Sequence, residues 1–270
     1  MNTEYDKLIK THYDGVASEE KNSGFSTMAN SFVRDSETKF IANMVGKYLN
    51  KREKSEGLKV LDVGCGNGYT LGKLAPSFPE LSFAGLELTD SLREIANESL
   101  ASQSISVAGR DIRKMDMLKE FDVDILICQR VIINLLDQND QKEALQNLLN
   151  IVNNGGLLIF IECFDSGLQS LNKARKEFGL DEMSPSHHNL YLNDDFFNLS
   201  GLKEFDLSQK EFLSSHYFIS RAIHPIFLSL NKQEFIRNSE FVSFFTKSFQ
   251  DSIGTYSPIK FLSFVKNGKN

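Results

Sequence analysis

Short apolar runs alternate with helical stripes along the middle of this chain, and that alternation carries the fold. The first run covers residues 58–63 and is followed by a glycine turn. Further runs cover Leu81 to Leu88, Ile105 to Ala108, Val123 to Cys128 and Leu157 to Cys163. Between them the apolar positions recur at helical spacing, over 69–77, over 90–101 (Leu92, Ile95, Ala96, Leu100) and over 139–152 (Ala144, Leu145, Leu148, Leu149). Val123 to Cys128 is continuously apolar, the pattern of a strand covered on both faces. Asn153-Asn154-Gly155-Gly156 reads as a helix C-cap and turn. Strands and helices in this order predict βαβ units, a parallel sheet and right-handed crossovers.

The flanks behave differently. Residues 1–33 read as polar and irregular, with a stretch of small residues from Asn22 to Asn30, and an amphipathic helix is expected over 34–50. After residue 163 a helical pattern (Leu168, Leu171, Ala174, Phe178) gives way to Ser184-Pro185-Ser186-His187-His188-Asn189-Leu190-Tyr191, too rich in polar and ring-bearing side chains for a plain connector. A strand is expected within 202–212, helices over 213–230 and 234–252, and a last strand over 259–266. The chain has 22 Phe, and Phe-rich segments cluster after residue 195, which marks the C-terminal part as built differently.

Composition narrows the class. With 270 residues, 41% of them hydrophobic, the chain suffices for one α/β domain with embellishments. A net charge of -6 repels phosphate backbones and disfavours a nucleic-acid partner. No apolar run reaches the roughly 18 residues of a membrane span, so no membrane insertion is expected. The N-terminus has no apolar signal core, and a cytoplasmic location is expected. Cys65, Cys128 and Cys163 are odd in number and lack C-x-x-C spacing, which argues against a disulfide framework or a zinc site; no metal is expected.

Parallel sheets bind ligands beyond the carboxyl ends of their strands. Collected there are Gly64, Gly66 and Gly68, then Glu87, Asp111, Gln129 with Arg130, and Glu162. The glycine spacing is not G-x-G-x-x-G, and no Gly-Lys-Ser/Thr follows as in a P-loop. Val60 to Gly68, with Asp62 two residues before the first glycine, resembles motif I of the class I S-adenosylmethionine-dependent methyltransferases. Gly85-Leu86-Glu87-Leu88 resembles their second-strand acidic motif, Gly109-Arg110-Asp111-Ile112 their adenine-contact motif, and Phe121 to Cys128 and Val152 to Ile159 their later strand motifs. Asn153-Asn154 departs from the family's usual basic residue and proline.

The resemblance implies a Rossmann-like, seven-stranded, mostly parallel sheet with helices on both faces. It also implies an N-terminal lid and helix over 1–55, a cofactor-binding core over 56–165, and over 166–270 an acceptor-binding insert after the fifth strand plus the completion of the sheet. The implied cofactor is S-adenosyl-L-methionine, with Tyr13, Asp62, Gly64, Cys65, Gly66, Gly68, Glu87, Leu88, Asp111, Ile112, Gln129 and Arg130 as its contacts. A ribose diol offers two donors, which a carboxylate such as Glu87 can accept, and adenine N6 is a donor for Asp111. Taken singly, Glu87 reads first as an ordinary exposed acid, while Asp111 also reads as a helix N-cap and Asp62 as structural; their joint occurrence favours the cofactor.

Gln129-Arg130-Val131-Ile132-Ile133-Asn134-Leu135, Leu171 to Arg175, Gly179-Leu180 and His188 to Tyr191 resemble a bacterial methyltransferase group of surface-polysaccharide and small-metabolite pathways. That resemblance implies O-methylation of a small molecule or nucleotide-linked sugar, at a hydroxyl or a phosphoryl substituent. N-methylation of an amino sugar, a non-catalytic cofactor-binding partner subunit and a nicotinamide oxidoreductase stay open, as does a homodimer. A hydroxyl acceptor needs a base, for which His188 and then His187 are the candidates, with Tyr191 beside them. Arg130, Arg175, Asn189 and Arg221 are candidates for holding the acceptor, against surface pairing for the arginines.

Overall fold

The structure is a computed structural model that describes residues 4–19, 30–205, 213–234, 236, 238–249 and 252–267. Seven strands among these residues form one sheet: β1 (Lys59–Val63), β2 (Ser82–Leu86), β3 (Ser106–Ala108), β4 (Val123–Gln129), β5 (Val152–Cys163), β6 (Leu202–Glu204) and β7 (Ile259–Lys266). The order across the sheet is β3-β2-β1-β4-β5-β7-β6. The pairs among β1 to β5 are parallel, and β7 runs antiparallel between β5 and β6. The chain reverses direction across the sheet between β1 and β4, so a crevice opens beyond their carboxyl ends. This is the Rossmann-like architecture the sequence predicts. Ile125 to Cys128 of β4 and Leu157 to Ile161 of β5 are wholly buried and form the centre of the core.

The helices follow the apolar stripes closely. They are α1 (Glu4–Glu19), α2 (Ser31–Leu49), α3 (Tyr69–Leu74), α4 (Asp90–Leu100), α5 (Gln138–Ile151), α6 (Asp165–Glu177), α7 (Ser214–Phe218), α8 (His224–Leu230) and α9 (Glu240–Ser248). Side-chain caps fix two starts: Asn30 accepts from the Val33 amide before α2, and Asp137 accepts from Asn139 and Asp140 before α5. Among the described residues, no helix is long and apolar enough to cross a membrane.

Three expectations change. Residues 4–19, expected to be irregular, form α1; the helix is polar, but it buries Ala17 and is held from outside, with Asp14 accepting from Ser91 on α4 and Asp6 pairing with Arg113. Propensity alone does not show such tertiary support. The turn at Asn153 to Gly156 lies inside β5, where a register shift against β4 absorbs it and Gly155 takes a φ of +76°. Helix 213–230 is interrupted by a π-type turn over Ile219–Ile223. Pro225 explains it: the ring clashes with the carbonyl four residues back, that of Arg221, and the widened turn leaves this carbonyl to accept from the Arg175 guanidinium. The strand expected within 202–212 is β6, and residues 206–212 lie outside the described residues.

Candidate functional site

A cavity of about 540 Å³ lies beyond β1, β2 and β4, within the ~300–1,000 Å³ typical of small-molecule sites. Its floor is the turn after β1. Gly64 has a φ of +64°, and a Cβ there would collide with the Val131 side chain. Gly66 has a φ of +57°, so its bare peptide faces the cavity without strain. The Gly66 amide donates to Glu87 Oε2 at 3.0 Å, and the Thr89 amide donates to Oε1 at 2.8 Å. Glu87 therefore braces the glycine turn from the end of β2. Each of its oxygens has a second lone pair for a ligand hydroxyl. Burial holds its pKa above the usual carboxylate range, against the pull of these amides.

Asp62, at the foot of the same turn, is buried, and neither carboxylate oxygen has a hydrogen-bond partner. Burial, with Glu87 nearby, pushes its pKa up to about 8. At the next strand end, Asp111 accepts from Arg113 Nε at 3.0 Å and Nη2 at 2.9 Å, a two-pronged pair. Arg113 extends to Asp6 and Asp140 at 2.9 and 3.1 Å and donates to the Tyr5 hydroxyl at 2.7 Å. This one guanidinium ties α1, the loop after β3 and α5 together along the cavity wall.

The opposite wall is cationic. Arg130 follows β4 in a left-handed conformation (φ +53°), and its amide donates to Ile161 O at 2.7 Å. Its guanidinium pairs with Glu37 of α2. Burial works against that charge, but Glu37 outweighs it and the Arg130 pKa is displaced upward. Arg34, one turn before Glu37, lies over the Tyr69 ring at 3.9 Å. Gln129 accepts from the Thr70 hydroxyl at 2.8 Å, and Tyr13 accepts from Asn134 Nδ2 at 2.8 Å. Burial raises the Tyr13 pKa to about 12, so the phenol keeps its proton.

Of the residues expected to contact a cofactor, Tyr13, Gly64, Cys65, Gly66, Glu87, Leu88, Asp111, Ile112, Gln129 and Arg130 line this cavity. Asp62 and Gly68, also expected as contacts, are not among the residues that line it. Of the residues expected to serve the acceptor, Arg130 lines the cavity and the rest stand elsewhere. His187, His188, Tyr191, Asn189, Arg175 and Arg221 do not line it. His188 is separated from it by Tyr13, with the two rings 6.2 Å apart. Arg175 bonds the carbonyl of Asp181 just after α6 and that of Arg221 in the π-type turn. Arg34, expected with the N-terminal segment over the cofactor, lines the cavity, and Glu37, Tyr69, Asn134 and Arg113 belong to it and were not anticipated. Arg34 and Glu37 did carry a signal: two opposite charges three residues apart, beside the apolar stripe of α2, that are buried in the fold.

These residues fit S-adenosyl-L-methionine. An unpartnered buried carboxylate suits an ammonium group, Glu87 suits a ribose diol, and the bare peptides at Gly64 and Gly66 suit close approach of a chain.

Residues 60–156 match a family model described as a methyltransferase domain. A malonyl-[acyl-carrier protein] O-methyltransferase of Bacillus cereus is 21% identical over 70% of this chain and 71% of its own length. A protein of the same name from Acetivibrio thermocellus is 27% identical over 67% of this chain and 65% of its own. Across the curated relatives of this name the matched stretches span from 50% to 72% of their lengths. Among solved structures, the N-methyltransferase NodS of Bradyrhizobium japonicum WM9, in complex with S-adenosyl-L-homocysteine, has a TM-score of 0.59 at 13% identity, covering 96% of this chain and 99% of that one. At such identity the likeness speaks for the fold. The sheet order, the methyltransferase-domain match over residues 60–156 and the donor chemistry of the cavity agree with one another and support a class I S-adenosylmethionine-dependent methyltransferase with S-adenosyl-L-methionine as its cofactor.

Proposed function

We propose that the enzyme O-methylates a small acceptor whose reacting oxygen is already anionic, a carboxylate before all others. The observation that carries this reading is the composition of the cavity wall. Arg130 and Arg34 line it, while His187 and His188 stand outside. A neutral hydroxyl would need a base at the reacting oxygen, whereas a carboxylate needs only a cation to hold it and a line of approach. Arg130 uses Nη1 on Glu37, and a guanidinium has further N–H donors that match a carboxylate. The names of the curated relatives, which specify a malonyl group, support the same class of acceptor. In a glycan-precursor setting this reading selects an acid sugar or a phosphoryl substituent over a plain hydroxyl.

The bound cofactor would supply a methyl group on a sulfonium. A carboxylate oxygen would take that methyl, with the sulfur as leaving group, without giving up a proton, so no residue of the chain would need to act as a base. Arg130 would hold the acceptor, Glu37 would fix the guanidinium, and the α1 residues Tyr5 and Tyr13 would exclude water from one side.

The test is transfer of labelled methyl from S-adenosyl-L-methionine to a panel of malonyl thioesters, uronic acids, sugar phosphates, neutral sugars and amino sugars. Label recovered in a base-labile methyl ester is expected, with Arg130→Met raising KM for the acceptor. A base-stable ether or methylamine as the main product overturns the reading.

A further inference from the structure

Three of the five histidines meet at one place outside the cofactor cavity. His12 comes from the second half of α1, and His187 and His188 from the segment after α6. The His12 and His188 rings stack at 3.8 Å, and His187 stands edge-on to them at 5.9 and 5.1 Å. One nitrogen from each can be chosen so that all three lie within 4.8 Å of one another. His188 Nδ1 is buried and has no hydrogen-bond partner. A buried ring nitrogen without a partner is costly, and it asks for a group to fill its place.

We propose that His12, His187 and His188 bind one divalent transition-metal ion of the zinc class and that the ion pins α1 to the segment after α6. Three imidazoles are a recurrent zinc donor set and leave a fourth tetrahedral position for water. Around one such ion the nitrogens would sit roughly 3.4 Å apart, given ~2.1 Å zinc–nitrogen bonds, so from within 4.8 Å of one another the rings would turn out of their stack and draw together. Burial, followed by the repulsion among the three rings, holds His12 and His188 below the ordinary imidazole range, His188 at about 4. A neutral imidazole offers its lone pair to such an ion. His187 is exposed and gives an ion a way in. Cysteine spacing could not reveal this site, because its ligands come from two segments far apart in sequence. Pinning α1 matters because Tyr5, Asp6 and Tyr13 of that helix line the cavity.

The test uses the full chain, stripped with a chelator and titrated with Zn²⁺ against a chromogenic competitor, beside His187→Ala and His12→Ala. Circular dichroism establishes that each variant is folded; His187, being exposed, is the safer of the two. One equivalent of zinc on the wild type is expected. Its affinity should fall more than about tenfold in His187→Ala, the lower bound of what losing even an outer-shell partner costs. Zinc should also slow proteolysis within α1 of the wild type and not of His187→Ala. Co²⁺ in place of zinc should show ligand-field absorption without a thiolate charge-transfer band. The site is overturned by no stoichiometric uptake, by equal uptake in wild type and His187→Ala, or by a thiolate band, which would put the ion on cysteine. Zinc binding without any protection of α1 overturns the pinning.

Discussion

Asp62 is the residue whose chemistry is least balanced without the cofactor. It is buried, neither oxygen is partnered, and its pKa is displaced from 3.8 to about 8. In the folded chain it therefore holds a proton across a range where the unfolded chain has lost it. Stability falls with rising pH wherever the folded state binds more protons. The contribution of Asp62 is thus fully present below about pH 4 and is lost progressively as pH rises through about 8. An asparagine of the same shape has no such dependence. Without cofactor, Asp62→Asn should be more heat-stable than the wild type at pH 7, with the gap closing as pH falls toward 4. Scanning fluorimetry over that range checks this, and calorimetry with S-adenosyl-L-homocysteine should show weaker binding by the variant. A gap that stays constant with pH would refute the reading of Asp62. The other raised carboxylates, Glu87, Glu37 and Glu162, are present in both proteins and cancel in the comparison.

The helix that closes the cavity, α1, depends on Arg113 more than on its own sequence. That guanidinium is buried against Asp111, Asp6 and Asp140 and reaches the Tyr5 hydroxyl. Removing one partner of a buried ion pair leaves an uncompensated charge and costs about 3–5 kcal/mol. Arg113→Ala should therefore lower stability by about that much in urea titration. Hydrogen exchange in α1 should rise more than in the sheet, because α1 loses its anchor while β1, β4 and β5 keep theirs. Arg113→Lys should restore little, since an ammonium cannot bond Asp111 with two prongs. Unchanged exchange in α1 would contradict the anchoring role. The same helix shows where sequence reading stops. The parallel strands and the glycine turn were legible because their signals are local: apolar runs, φ-permissive residues and an acid at several strand ends. α1 was not, because its polar surface is satisfied by partners distant in the chain. Glu162 was collected as a strand-end acid, yet it accepts from the amides of Val131 and Ile132, so it holds the turn after β4. Arg175 was a candidate for holding the acceptor, yet it bonds two backbone carbonyls, that of Asp181 after α6 and that of Arg221, which the π-type turn leaves open.

At the scale of the whole molecule, the sheet decides what can be removed. β5 is central, with Leu157 to Ile161 wholly buried, and β7 returns from the far end of the chain to pair with it from Leu157 to Cys163. Phe261 and Phe264 of β7 are buried in the same core as Phe160. The residues after 165 are therefore part of the fold that carries the cofactor cavity, although no residue of β6 or β7 lines that cavity. A chain cut after residue 165 would leave the apolar β5 as an open edge, with an unpaired ladder of N–H and C=O groups ready to recruit other chains. Such a fragment should aggregate in light scattering and fail to bind S-adenosyl-L-homocysteine, even though it contains nearly every cavity residue. Removal of residues 1–29 should behave in the opposite way. It takes away α1 and its wall of the cavity but no strand, so the chain should stay free of aggregates with an unchanged strand signal in circular dichroism while binding the cofactor more weakly. If the first fragment folded without aggregating, or the second lost its sheet, the continuity of the core from β1 to β7 would be the wrong account of this molecule.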